Sequence, residues 1–248
     1  LGIAVAFLAL IFLIYPSVIK ENENISLMMN EMFSNEILAM FNMDVVSFNS
    51  VFGWLASEGY VMITLLISMY FSILGGTILL KEQDDKTIYF LYSRPVSKNK
   101  ILTSKILSGL IYIFIFNLVI ALTNLIGLHL SNDLNVEKWL WISIMPVFLS
   151  IFSFFISLFI SLYLKKTNAS IGIGLGTVFI FYMFNVIAML SDKIEFLKYF
   201  SPFYYVDARD VLVNGHPEAS NCILISFISI CFMALSYYVY DKKEVGLQ

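Results

Sequence analysis

Few side chains in these 248 residues can do covalent or acid–base chemistry. The two histidines, His129 and His216, are isolated from each other and from other metal-ligating residues. The two cysteines, Cys222 and Cys231, share one apolar run. At about 100° per residue they face opposite sides of a helix, so they cannot bridge and read as buried small hydrophobes. No Cys/His spacing suits a metal, and no carboxylate pair or nucleophile–base set is evident. GxxxxGK[ST] is missing, so the chain is not expected to bind nucleotide in the Walker manner. What remains is milder. Asn117 and Asn124 share a helix face, and Asn185 stands in a later apolar run. Ser143, Ser150, Ser153, Ser157 and Ser161 fall within about 80° of arc on one helix. The amides suit hydrogen bonds between helices. The serine stripe suits either close helix packing or the polar lining of a conduit.

One further stretch asks for a partner. KEQDDKTIYFLYSRPVSKNKILTSK, residues 81–105, is charged at both ends and aromatic in the middle. Asp84 or Asp85 can cap a short helix there. Thr87 to Ser93 makes about two turns, and Pro95 disfavours helical geometry at Arg94. Ser97 can cap the helix that follows. The two-turn helix presents Ile88, Tyr89, Phe90, Leu91 and Tyr92 with no cover of comparable size on that side of the chain. Such a patch either docks a partner or lies on the bilayer interface.

These groups must be positioned by apolar helices. Only 13% of residues are charged and 59% are hydrophobic, against about 25% charged in soluble domains. About 20 apolar residues cover the ~30 Å hydrocarbon core, and runs of that length recur. The fold expected is an all-α polytopic membrane protein, a single transmembrane domain over residues 1–248 with six spans. The spans fall near 1–15, 60–80, 106–128, 139–164, 170–190 and 222–240. The first is ended by Pro16, and at 15 residues it reads as truncated at its start. Trp139, Trp141, Tyr237, Tyr238 and Tyr240 lie near span ends, where aromatic rings favour the interface. Gly172 and Gly176 have the spacing of a packing seam.

Charge orients the spans. Ten of the fifteen basic residues (Lys81, Lys86, Arg94, Lys98, Lys100, Lys105, Lys165, Lys166, Lys242 and Lys243) fall on one side. The positive-inside rule puts residues 81–105 and both termini in the cytosol. Two long segments then lie outside. Within residues 16–59, apolar residues from Ile25 to Phe41 repeat at helical spacing, as an amphipathic helix on the outer leaflet or a cap on the bundle. Residues 191–220 read as one or two short, partly inserted re-entrant helices or as a loop packed on the bundle. No Asp, Glu, Lys, Arg or His falls within spans two to six, which disfavours a proton-coupled carrier.

GGTILLKEQDDKTIYFLYSRPVSKNKILTSKIL resembles the loop after the second span in the ABC type-2 permease family. The matching positions are Glu82, Thr87, Ile88, Leu91, Ser93, Pro95, Val96, Ser97, Ile101, Leu102 and Lys105. Lys86 departs from the family's usual Gly, and Lys98 from its common Arg. YFSPFYY before the last span also resembles that family's outer region. The resemblance implies the permease subunit of an ABC exporter in the cell membrane, non-catalytic itself. It implies two cytosolic ABC ATPase subunits as partners, holding the ATP and Mg, with no cofactor bound by this chain. It also implies a second permease subunit, identical or similar, with the conduit at the dimer interface, and an interfacial helix before Leu1. The coupling residues would be Glu82, Thr87, Ile88, Tyr89, Phe90, Leu91 and Pro95. Residues for conduit or packing would be Asn117, Asn124, Ser150, Ser153, Ser157 and Asn185. The apolar bundle and the Met- and Phe-rich outer helix favour an amphipathic substrate: an antimicrobial or cytolytic peptide, a lipid-like molecule or a drug. Besides these subunits the expected partners are membrane lipids, and no nucleic acid. The alternative is a membrane sensor or scaffold that recruits a cytosolic partner without transport.

Overall fold

The computed structural model describes residues 1–19, 50–85, 97–190 and 192–242. Their helices are α1 (Gly2–Ile19), α2 (Val51–Thr77), α3 (Leu80–Asp84), α4 (Lys98–Leu130), α5 (Val136–Ser161) and α6 (Thr167–Ala188). After α6 come a 3-10 helix at Asp192–Phe200 and a 3-10 turn at Tyr204–Val206. The series closes with α7 (Ala208–Asn214) and α8 (Ala219–Lys242). No strand occurs among the described residues. The helices α2, α4, α5, α6 and α8 are long and apolar enough to cross a membrane, and α1 adds a shorter apolar helix over Gly2–Tyr15. The protein is an all-α polytopic membrane protein. The two-turn helix expected at Thr87–Ser93 and the amphipathic helix expected over 25–41 lie outside the described residues.

Several boundaries differ from those expected. α1 runs through Pro16 to Ile19. α2 begins at Val51, nine residues before its apolar run. Its first turn is capped twice: Ser50 Oγ accepts from the Gly53 N–H (2.9 Å), and Asp133 Oδ2 accepts from the Phe52 N–H (2.8 Å). Val51, Phe52, Leu55 and Ala56 are buried, so the added turns join the core rather than an outer loop. A π-turn over Leu55–Gly59 then shifts the register before Tyr60. α4 begins at Lys98, where Ser97 is the N-cap residue but makes no side-chain cap bond. Ile101 and Leu102 are buried, which extends this helix beyond its apolar run.

α5 is the hub, packing against α2, α4, α6 and α8. Its approach to α2 is close: a Cβ on Gly75 would stand 2.1 Å from the Phe154 carbonyl oxygen. Ser72 and Ser157 share a hydroxyl–hydroxyl bond of 2.6 Å between α2 and α5. The α2–α6 contact is sealed by Ser170 Oγ, which donates to the Gly76 carbonyl at 2.7 Å. The seam expected at Gly172 and Gly176 is not formed among the described residues. A Cβ at either position meets nothing within 4 Å, and it is Gly174 that packs, against Ser72. The two cysteines are half-buried rather than buried.

Candidate functional site

The base of the 81–105 segment is built at the Lys-rich end of the bundle. α3 follows α2 after a two-residue break and carries Glu82 and Asp84. Glu82 pairs with Lys105 on α4. Both side chains are about a quarter exposed (24% and 27%), so the pair is neither free in water nor fully desolvated. Asp84 reaches the other way. Its Oδ2 accepts the Thr167 backbone N–H at 3.0 Å, at the first residue of α6. The N-cap residue of α6, Lys166, makes no side-chain cap bond, so Asp84 supplies an acceptor from 83 residues away. Asp84 or Asp85 was expected to cap the short helix of this loop, which lies outside the described residues; Asp84 caps α6. An acid also suits the positive end of a helix dipole. The Thr167 hydroxyl and backbone N–H together hold the Asp84 carboxyl below the usual carboxylate range. Two acids two residues apart therefore tie the segment's start to two different spans. On its far side, Thr103 Oγ1 and the Tyr237 hydroxyl bond at 2.8 Å, joining α4 to α8.

Of the residues singled out for coupling, Glu82 stands at this base. Thr87, Ile88, Tyr89, Phe90, Leu91 and Pro95 lie outside the described residues. The amide and hydroxyl positions are elsewhere, mid-bundle. Asn117 Nδ2 donates to Ser150 Oγ (3.1 Å) between α4 and α5, and Ser150 Oγ donates to the Pro146 carbonyl (2.7 Å). Ser150, Ser153, Ser157 and Ser161 are buried between helices, as are Asn117 and Asn124. Ser143, at the other end of the stripe, is half-buried.

Asn185 stands apart from them, on the wall of a cleft near the opposite end of the bundle. Tyr60 and Thr64 of α2, Tyr182 of α6, Phe203 and Asp207 complete most of that wall. The Tyr60 hydroxyl donates to the Val206 carbonyl at 2.7 Å and ties α2 to the 3-10 turn. Asp207 is the N-cap of α7, its Oδ1 accepting the Arg209 N–H at 3.0 Å. Burial pushes the Asp207 carboxyl above the usual range, opposed by the Arg209 backbone N–H and guanidinium. No motif in the sequence marks this cleft. Nothing in local spacing brings Tyr60 to Asp207.

A comparison with protein families matches residues 2–245 to the ABC-2 family transporter protein. The chain belongs to the ABC-2 transporter family. No curated protein and no solved structure matches it. ABC-2 members are membrane components of ABC transporters and associate with ABC ATPases, so this chain is a permease-type subunit. The Asp84–Thr167 contact is not announced by any motif. The available signal was an uncapped helix start at Thr167 and an acid on a neighbouring short loop, which only the tertiary fold pairs.

Proposed function

We propose that this ABC-2 subunit is the permease of an ATP-driven exporter and that residues 81–105 couple it to cytosolic ATPase subunits. The observation that carries the reading is the double tether at the base of the segment. Glu82–Lys105 connects it to α4 and Asp84–Thr167 connects it to α6. A displacement of the aromatic patch at 88–92 is thereby passed to two spans at once, beyond α2, which leads directly into it. Two ATPase subunits dock at the Lys-rich end, which the positive-inside rule places in the cytosol together with both termini. ATP and Mg belong to those subunits, and this chain binds no cofactor. A second permease subunit completes the conduit in the cell membrane, and the substrate is amphipathic, a peptide first of all.

The test is a pull-down of the tagged chain from its native membrane, followed by mass spectrometry. A stoichiometric ABC ATPase is expected, and it is lost when Phe90 and Leu91 are both replaced by Asp. Retention of the ATPase and of transport in that double variant overturns the coupling assignment. Absence of any nucleotide-binding partner from the wild-type preparation favours a recruiting scaffold instead.

A further inference from the structure

The cleft at the end opposite the Lys-rich base has a selective chemistry of its own. The hydroxyl donors of Tyr60 and Thr64 are already committed. Tyr60 donates to the Val206 carbonyl (2.7 Å), and Thr64 donates to the carbonyls of Tyr60 (2.8 Å) and Val61 (3.0 Å). What these oxygens still offer is lone pairs. Asp207 adds a carboxylate and Asn185 an amide, whose carbonyl is a further acceptor beside its own N–H donors. Tyr182 and Phe203, edge to face at 5.6 Å, add two aromatic rings. Acceptors, one negative charge and aromatic faces are the complement of a cation rich in N–H donors. The space open to the centres of water-sized molecules is about 30 Å³. A water needs about 10–15 Å³ on that measure, so a small head group fits and a whole peptide does not. Arg209, whose charge also bears on Asp207, does not itself line the cleft.

We infer that this cleft binds a primary ammonium group, with Asp207 as counter-ion and Thr64 and Asn185 as acceptors. The group belongs to a transported amine, such as a lysine side chain or a peptide N-terminus, or to the head of an aminolipid. That purpose rests on the transport reading, but binding itself needs no ATPase, so the two fail separately.

The test uses the purified full chain in phosphatidylcholine nanodiscs, with ethylammonium chloride as probe and equal sodium chloride as reference. At ten times the half-saturating concentration the thermal midpoint rises by about 2–4 °C. Asp207→Asn keeps a good helix cap, because Asn caps as well as Asp, and removes only the charge. It is expected to weaken the response about tenfold, with Asn185→Ala intermediate. A wild-type chain that does not respond overturns the inference, as does a response equal in Asp207→Asn. Equal stabilisation by sodium chloride overturns it in favour of a bare cation. Suppression of the ethylammonium response by phosphatidylethanolamine in the nanodisc supports the site and names an aminolipid as its occupant. Persistence of the response supports it and leaves the site to a transported amine.

Discussion

At the residue scale, two acids of this protein do their work at the ends of distant helices. Asp84 and Asp133 do the same job at opposite ends of the bundle. Each accepts a backbone N–H from the first turn of a helix about eighty residues away, at sequence separations of 83 and 81. Each satisfies a donor that the helix itself cannot, and each locks two elements together. The Asp84 contact has a pH signature. Its carboxyl is lowered first by the Thr167 hydroxyl and then by the Thr167 N–H. A carboxyl held below its unfolded value makes the folded state bind fewer protons. Its contribution is complete above the unfolded value, about 3.9 for Asp, and is lost as pH falls through the lowered folded value. Asp84→Asn is therefore expected to unfold at a lower temperature than wild type at pH 7. The gap should close as the pH is taken below about 4. Thermal melts at pH 7, 5, 4 and 3 check this, and a gap that ignores pH rules out the charge as the source.

At the element scale, α5 holds the bundle because neighbours can approach its backbone. Gly75 is the sharpest case, with the Phe154 carbonyl where a methyl group would lie. Gly75→Ala is expected to cost about 1–3 kcal/mol, the usual penalty of overpacking, since backbone and not a flexible side chain blocks the space. In the detergent-solubilised monomer, Gly172→Ala is the internal control. Nothing lies within 4 Å of its Cβ position, and the helix gains up to about 1 kcal/mol in propensity. Thermal melts of the two variants should move in opposite directions; a Gly75→Ala chain as stable as wild type would contradict the close α2–α5 approach. These contrasts also show what the sequence could tell. Apolar runs located the five helices long enough to cross, because helix length must match the bilayer, whatever the packing. They misplaced the starts of α2 and α4, because Val51–Ala56 and Ile101–Leu102 are buried by tertiary neighbours rather than marked by a long apolar run. The Gly172/Gly176 spacing pointed to a seam, but spacing does not say which neighbour fills it. The serine stripe was legible as one face, while its bonds to Asn117 and Ser72 depended on which helices meet α5.

At the scale of the whole molecule, the unfilled glycine face becomes informative. α5 is largely enclosed, with 67% of its apolar window buried, whereas α6 and α8 each bury 17%. On α6 the open surface carries Gly172 together with exposed Phe179 and Ile180, and Gly176 lies on the same face. Lipid covers apolar helix surface without difficulty, but small residues at this spacing let another helix come close. If the conduit forms between two permease subunits, as proposed above, this face of α6 is where a second copy packs. Cysteine at Gly172 or Gly176, in a chain with Cys222 and Cys231 replaced by Ala, should cross-link copies into a dimer under mild oxidation in the membrane. Cysteine at Ile223 on α8, which is 67% exposed, should give monomer. Cross-linking through position 223 and not through 172 or 176 would move the dimer face to α8. The Gly172/Gly176 surface would then be left to lipid.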